Sequence, residues 1–421
     1  MSMSRPLLGV RVLDFCQAVA GPFAGRLLAD LGADVIKVEP TDGDLSRDLT
    51  PVGDGSFSAM FNHANAGKRG IAVDLKSLAG KMVALALVQE VDVVLENSSP
   101  GAMDRLGLGY ADLSRINPGL VMCSVSSYGQ DGSYSRFVGA DPVGQAMSGM
   151  VYMTGDPDRP PYLATNGVAD TATGTHAALA TTAALFARQQ TGQGCHLDIS
   201  MCDVMLMMDC CNVPLAAATR GEAPMERSGA HNLTVSPFGL FAAQDGFVLI
   251  EAWGEGASSL WGRLCSVLGR PDLVDAPEFR TNAARVRNRA AVTGVVETWL
   301  GVLPREAALA ELYRARVVAA PVLSPTEAIN HPVARERAMV QTLTHPAAGD
   351  VDVIPNAYKS TTWQVQATLA PALGEHTRQI LHDLVGLQPA DIECLLANGV
   401  LGAVPTQGEE ASPPEKALPN Y

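Results

Sequence analysis

A chain of 421 residues exceeds one typical hydrophobic core, so two or three domains are expected. Its composition, 47% hydrophobic and 18% charged with 40 glycines, belongs to a compact α/β protein with many tight turns and excludes a disordered chain. The formal charge of −14 repels phosphate backbones and argues against a general nucleic-acid binder, while allowing a local basic pocket for one small anion.

In chain order, residues 10–15 (VRVLDF) read as a strand, followed by a small-residue turn from Cys16 to Gly21. Pro22 opens a helix that Gly32 closes, proline early and glycine just past the last apolar residue being start and stop signals. Residues 33–39 give the next strand. A strand at 68–75, a helix at 78–90, a strand at 91–96, a helix from Gly101 to Leu106 and a strand at 119–126 follow. This alternation predicts parallel strands with helices on both faces.

Asp170 precedes a long Ala/Thr/Leu helix that stops at Thr191-Gly192-Gln193-Gly194. A strand at 195–200 and a Met-rich helix from about Cys202 come next. Apolar periodicity lapses between Thr219 and Asn232, which reads as a linker. Residues 240–252 predict a hairpin with Asp245-Gly246 as its turn, and Arg-rich helical segments run to about Arg316. From Val404 the chain is rich in Pro, Glu and Ser and is expected to lack a core of its own. The expected fold class is α/β, an open Rossmann-like parallel sheet plus a smaller α+β domain. Residues 1–218 and 327–403 form the large domain, 219–326 a linker and small domain, and 404–421 a flexible tail.

Neither an apolar signal core nor a cleavage site precedes the first strand, and no uninterrupted apolar run reaches about 18 residues. The eight cysteines include no Cys-x-x-Cys, so no disulfide framework, zinc ribbon or thioredoxin motif is expected, and the chain reads as cytoplasmic. Gly21-Pro22-Phe23-Ala24-Gly25 departs from Gly-x-Gly-x-x-Gly, with Pro22 standing where the chain would approach a pyrophosphate. Glu39 at ribose-contact distance therefore does not make a dinucleotide site. No P-loop occurs, and Ser148 lacks the preceding glycine of a nucleophile elbow. His176 lies six residues from Asp170, off metal-ligand spacing, and no metal is expected. Asp170, alone at a helix start, reads as an N-cap.

A set of short marks runs through the whole chain. They include Val12-Leu13-Asp14-Phe15 with Ala20-Gly21-Pro22, then Leu31-Gly32-Ala33-Asp34 leading to Lys37-Val38-Glu39. Asn65-Ala66-Gly67-Lys68-Arg69, Asp74-Leu75-Lys76, Glu96-Asn97 and Pro100-Gly101-Ala102-Met103-Asp104-Arg105 follow. Asp141 with Gln145, Gly167-Val168-Ala169-Asp170 with Gly174, Ala320-Pro321-Val322, His331-Pro332 and Leu373-Gly374-Glu375-His376 complete the series. In this order they resemble the family III CoA-transferases, which include formyl-CoA, carnitine-CoA and dicarboxylate-CoA transferases and are related to alpha-methylacyl-CoA racemase.

The resemblance implies an interlocked homodimer that moves CoA from an acyl-CoA thioester to a small free carboxylic acid, a short dicarboxylate above all. Asp170 is the implied nucleophile, passing through an aspartyl anhydride and an aspartyl-CoA thioester. The cap and nucleophile readings are compatible, since a helix N-terminus favours an anion. CoA contacts are implied at Ala18, Val19, Ala20, Lys37, Val73, Lys76, Asn97, Ala102 and Arg105, with Arg69 close by. Pro40 and Val19 stand where some relatives place arginine and glutamine. The CoA thioester is substrate; no tightly bound cofactor, nucleic acid or membrane is implied. Gly254-Glu255-Gly256 reads as a lid over the intermediate or as an ordinary turn. Met147, Met150, Met153 and Met201 read as acyl-pocket lining or as packing. Related racemases carry a proton-transferring histidine in a Gly-His-Asp segment, which here is Gly139-Ala140-Asp141. Alanine moves no proton, so transferase is favoured over racemase; a non-catalytic CoA-binding protein is the third reading.

Overall fold

The strand-helix alternation becomes a seven-stranded sheet in a computed structural model that describes residues 5–404. Its strands are β1 (Arg11–Asp14), β2 (Asp34–Glu39), β3 (Arg69–Val73), β4 (Val93–Glu96), β5 (Val121–Ser126), β6 (Cys195–Ser200) and β7 (Leu401–Gly402). The spatial order is β7-β3-β2-β1-β4-β5-β6, and every pairing is parallel except that of β7 with β3. β1, β3, β4 and β5 are buried along nearly their whole length, which is why they read as continuous apolar runs rather than alternating ones. From β1 the chain moves outward through β2 and β3, then returns to β4 on the other side of β1. At such a reversal the connections leaving the two central strands diverge and open a crevice at their carboxyl ends. Residues 15–19 and Asn97 leave those two ends.

The helices that build the crevice are α1 (Ala20–Asp30), α2 (Leu78–Gln89), α3 (Ala102–Leu106), α4 (Asp141–Met147), α5 (Val168–Thr191) and α6 (Met201–Met208). α1 begins two residues before Pro22. Proline is tolerated there because first-turn amides have no partner inside the helix. α5 ends as expected on Gly192 in the left-handed region, φ +69°, whose N–H bonds to the Arg188 carbonyl. α1 and α5 meet backbone to backbone: a Cβ on Gly174 would lie 2.5 Å from the Ala20 carbonyl oxygen and 3.2 Å from the Ala24 nitrogen.

The described chain divides into two compact units, one drawn from 5–148, 165–208 and 337–404, the other from 149–164 and 209–336. The sequence reading set its borders at 218/219 and 326/327 and did not separate 149–164. Specific bonds tie these pieces to the second unit. Arg227 donates to the carbonyls of Tyr152, Asp156 and Arg159, and Arg305 pairs with Glu327 at 2.6 Å. Of the expected tail only Val404 lies among the described residues.

The second unit holds a three-stranded antiparallel sheet (Phe238–Ala243, Gly246–Glu251, Val318–Pro321) over a core that includes Phe241, Val248, Ile250, Trp261 and Leu312. The hairpin turn is one residue earlier than expected: Ala243 pairs with Gly246, so Gln244 and Asp245 form the loop. Asp245 is held there by accepting the Arg305 backbone N–H at 2.7 Å. Arg285 is fully buried beside Trp261 and donates to the carbonyls of Ser236, Phe279 and Gly254, anchoring one end of Gly254-Glu255-Gly256.

Gly174→Ala tests the α1–α5 contact. Alanine improves helix propensity by about 1 kcal/mol, but its Cβ meets backbone that cannot yield without moving a helix. A net loss of about 1–3 kcal/mol in urea unfolding is expected; an unchanged or higher midpoint contradicts the close approach.

Candidate active site

The turn after β1 is built on buried charge. Asp14 accepts the Cys16 N–H at 2.9 Å with one oxygen and the Lys68 ammonium at 2.7 Å with the other. Lys68 spends its remaining donors on the Pro22 carbonyl and the Asn65 side chain, both at 2.8 Å. Small residues in α1 are required here, because a Cβ on Gly25 would lie 2.7 Å from an Asp14 oxygen. Asn97, leaving β4, accepts the Gln17 N–H and donates to the Gln17 carbonyl, each at 2.8 Å. Ala18 sits at φ +63°, which costs about 1–2 kcal/mol for a residue with a Cβ, and its N–H is held by Asp44 at 3.2 Å.

Lys37, expected among the CoA contacts, is a correction. Its side chain is fully buried and donates to Asp44 at 2.8 Å and to the Cys16 carbonyl at 2.9 Å, so it does not reach a ligand. A lysine in a strand buried on both faces must find an acid inside the protein. Burial pulls its ammonium down, but Asp14, Asp44 and Glu39 outweigh this and hold it above the ordinary lysine value. Lys37 braces the turn from beneath.

Asp170 also differs from its reading as an N-cap. α5 starts at Val168, its cap position is Gly167 at φ +89°, and Asp170 is the third helical residue. Glycine has no side chain to satisfy the first amides, and Asp141 does so from α4. One Asp141 oxygen accepts the N–H groups of Ala169 at 2.7 Å and Asp170 at 3.2 Å, and the other receives the Gln145 amide at 2.6 Å. Asp141 is buried and Asp170 half-buried. Burial first, and the Asp141 charge second, push the Asp170 carboxyl up to about 6.

Asp170 borders a cavity of about 210 Å³ together with Ala18, Val19 and Ala20, residues 97–100, residues 125–127, Met201 and part of the loop at 135–140. No lysine, arginine or histidine lines it; its polar lining is Asn97 and serine hydroxyls. A larger cavity of about 400 Å³ between Phe57, Phe61, His345 and Pro371 is bordered by one carboxylate, Asp48, which is exposed and not half-buried like Asp170, so chemistry rather than size identifies the site.

Ala18, Val19, Ala20, Asn97 and Asp170 are thus brought together. Val73, buried at the end of β3, exposed Lys76 after it, and Ala102 and exposed Arg105 on α3 do not line the cavity; they follow neighbouring strands at the same carboxyl edge of the sheet. Arg69 is engaged by Asp34 through two bonds at 2.8 and 2.6 Å. Met201 lines the cavity, Met147 is exposed outside it, and Met150 and Met153 belong to the second unit. His176 bonds to the Ala172 carbonyl of its own helix. Asp141 caps α5 and Ser127 lines the cavity, positions the sequence alone does not assign to them. The signal for Asp141 was an acidic residue followed by Pro142 at a helix start, and the glycine at position 167 left α5 without a cap of its own.

The model of the CoA-transferase family III matches residues 7–377. The chain is 32% identical over 400 residues to a mouse (Mus musculus) succinyl-CoA:glutarate CoA-transferase, covering 94% of this chain and 90% of that protein. It is 35% identical over 391 residues to a succinate–glutarate CoA-transferase of Agrobacterium fabrum, covering 90% and 96%. Among solved structures, a CAIB/BAIF family protein from Brucella suis superimposes with a TM-score of 0.81 at 32% identity, covering 91% of this chain and all of that one.

A carboxylate raised to about 6 makes two measurable demands. Chemistry that needs ionised Asp170 falls off tenfold per pH unit below about pH 6, and a limb near pH 4 contradicts the burial argument. Because the folded value lies above the unfolded one, ionisation costs the native state stability above about pH 6, and that cost fades as pH falls towards about 4. Asp170→Asn therefore raises stability by about 1–3 kcal/mol at pH 7.5 and by little at pH 4, read from urea midpoints.

Proposed function

Because this chain belongs to CoA-transferase family III and is a CoA-transferase, we propose that it transfers CoA from an acyl-CoA thioester to a free short dicarboxylic acid, with Asp170 as the nucleophile. The observation that carries this reading is the Asp170 carboxylate: half-buried, raised to about 6, and bordering a crevice at the carboxyl edge of the sheet. A carboxylate is a weak nucleophile in water, and removing its hydration is what makes it competent.

In the proposed cycle an Asp170 oxygen attacks the thioester carbonyl carbon, the C–S bond breaks, and CoA leaves as the thiolate, giving a mixed anhydride. The thiolate attacks the Asp170 carbonyl carbon, expels the donor's acid and leaves an aspartyl-CoA thioester. The acceptor carboxylate then attacks that carbon and the steps run in reverse. α1 starts without a side-chain cap, and Ala20 at its first position borders the cavity, so the positive end of the helix supports charge developing there. The pantetheine arm would run past Ala18–Ala20 and Asn97, with Val73, Lys76, Ala102 and Arg105 along the same sheet edge towards the nucleotide end.

Serine hydroxyls and Asn97 bind an acceptor carboxylate as neutral donors, and the named substrates of the two relatives support a four- or five-carbon diacid. A homodimer belongs to this reading. Leu179 and Phe186 on α5 are about two-thirds exposed in the single chain (66% and 65%), which supports a second copy covering that face.

The test combines succinyl-CoA or acetyl-CoA as donor with a panel of mono- and dicarboxylates. Transfer to a diacid, with a CoA adduct mapped by mass spectrometry to Asp170, is expected. Asp170→Ala should lower transfer by on the order of a thousandfold or more while CoA affinity stays within a few-fold. Retained turnover or an adduct elsewhere moves the nucleophile. Exchange of the α-proton without any acceptor establishes the racemase, and binding without turnover establishes a CoA-binding protein.

A further inference from the structure

Two carboxylates approach the start of α5, and one set of helix amides serves them. Both bonded amides go to the carboxylate that lies away from the reacting position: Asp141 accepts Ala169 N–H and Asp170 N–H, is buried at 5% exposure, and is clamped by Gln145. No hydrogen-bond donor contributes to the state of the Asp170 carboxylate. Other titratable groups on elements packed against α5 are Arg26 and Asp30 on α1, Cys123 on β5, Cys195, His196 and Asp198 on β6, Cys202 and Asp203 on α6, and His176 and Arg188 on α5 itself. None of them shifts Asp170; Asp141 alone does so by its charge.

We propose that Asp141 is a positioning residue for the transfer assigned above to Asp170: it occupies the helix amides with its own charge, denies them to the nucleophile, and so favours the uncharged, acylated state of Asp170. The inference rests on that assignment and adds a second residue to it. On acylation the negative charge leaves Asp170 with the electron pair that departs on the CoA sulfur, and the repulsion between the two carboxylates is relieved. When the last aspartyl anhydride is cleaved and Asp170 leaves as the free carboxylate, the charge and the repulsion return. Asp141 itself makes and breaks no bond.

Asp141→Asn and Asp141→Ala separate charge from capping. Asparagine keeps an oxygen for the two amides and removes the charge; alanine removes both. With Asp141→Asn the acid limb of kcat/KM is expected to move down by about one pH unit. The fraction of enzyme trapped as aspartyl-CoA under saturating donor should fall several-fold, and kcat with it, while the Kd for CoA stays within twofold. Asp141→Ala should show the same chemical loss and also a lower Tm. If Asp141→Asn leaves the acid limb and the trapped fraction at wild-type values and Asp141→Ala only lowers Tm, Asp141 is merely a cap and the proposal fails. Carbon-13 titration of the Asp170 carboxyl in the wild type needs no variant to fold. Titration above pH 5 is expected, and an ordinary aspartate titration overturns the proposal. An adduct absent from the wild type overturns the nucleophile assignment together with this inference; one present but undiminished in Asp141→Asn overturns this inference alone.

Discussion

Two backbone amides at the start of α5 set the character of the site, because two carboxylates compete for them and only one obtains them. A helix N-terminus normally stabilises an acidic residue in its first turn. Here Asp141 takes that stabilisation from α4, with Gln145 holding it in register. Asp170, one helical position beyond Ala169, keeps the position and loses the solvation. Burial and the neighbouring charge then act on it in the same direction.

The wall opposite Asp170 depends on a different economy of charge. The sequence is strongly acidic overall, yet of the cations around this turn Lys37 and Lys68 are buried and Arg47 is partly so. Lys68 satisfies Asp14, a carbonyl and an asparagine; Lys37 satisfies Asp44 and the Cys16 carbonyl; Arg47 closes the series on Glu39 with two bonds at 2.8 Å. Buried pairs of this kind contribute little net stability, but removing one partner costs about 3–5 kcal/mol. They hold Ala18 in a conformation that is unfavourable for a residue with a Cβ, and they leave the cavity lining uncharged apart from Asp170.

Much of the large unit was legible because its signals are local. Apolar runs bounded by glycine gave the strands, and Thr191-Gly192 gave the end of α5. What escaped depended on contacts between distant segments. Lys37 reads as a CoA contact until β2 is seen to be buried between its neighbours. Asp170 reads as a cap until Asp141, 29 residues earlier, is found on the same amides. The hairpin slipped by one residue because Arg305, far along the chain, fixes Asp245 inside the loop. Of the cavity wall that was anticipated, Ala18, Val19, Ala20 and Asn97 follow strands whose order reverses beside β1, whereas the serine lining comes from the loop after β4, the end of β5 and the loop after it, where no spacing marks it in advance.

A nucleophile with a raised pKa has a consequence for the direction of the proposed exchange. The mixed anhydride offers the returning thiolate two carbonyl carbons. Attack on the acyl carbon expels Asp170, and attack on the aspartyl carbon expels the donor's acid. An aliphatic carboxylic acid ionises near the ordinary side-chain value of about 4, whereas Asp170 does so at about 6. The weaker base is the better leaving group, so for a donor acid that escapes the burial acting on Asp170 the proposed anhydride favours the aspartyl-CoA thioester over return to the starting thioester. The same inequality makes Asp170 the poorer leaving group once the acceptor has formed its own anhydride. Discrimination there must come from which acid the cavity holds in place, and the proposed cycle gives that role to the serine-lined wall.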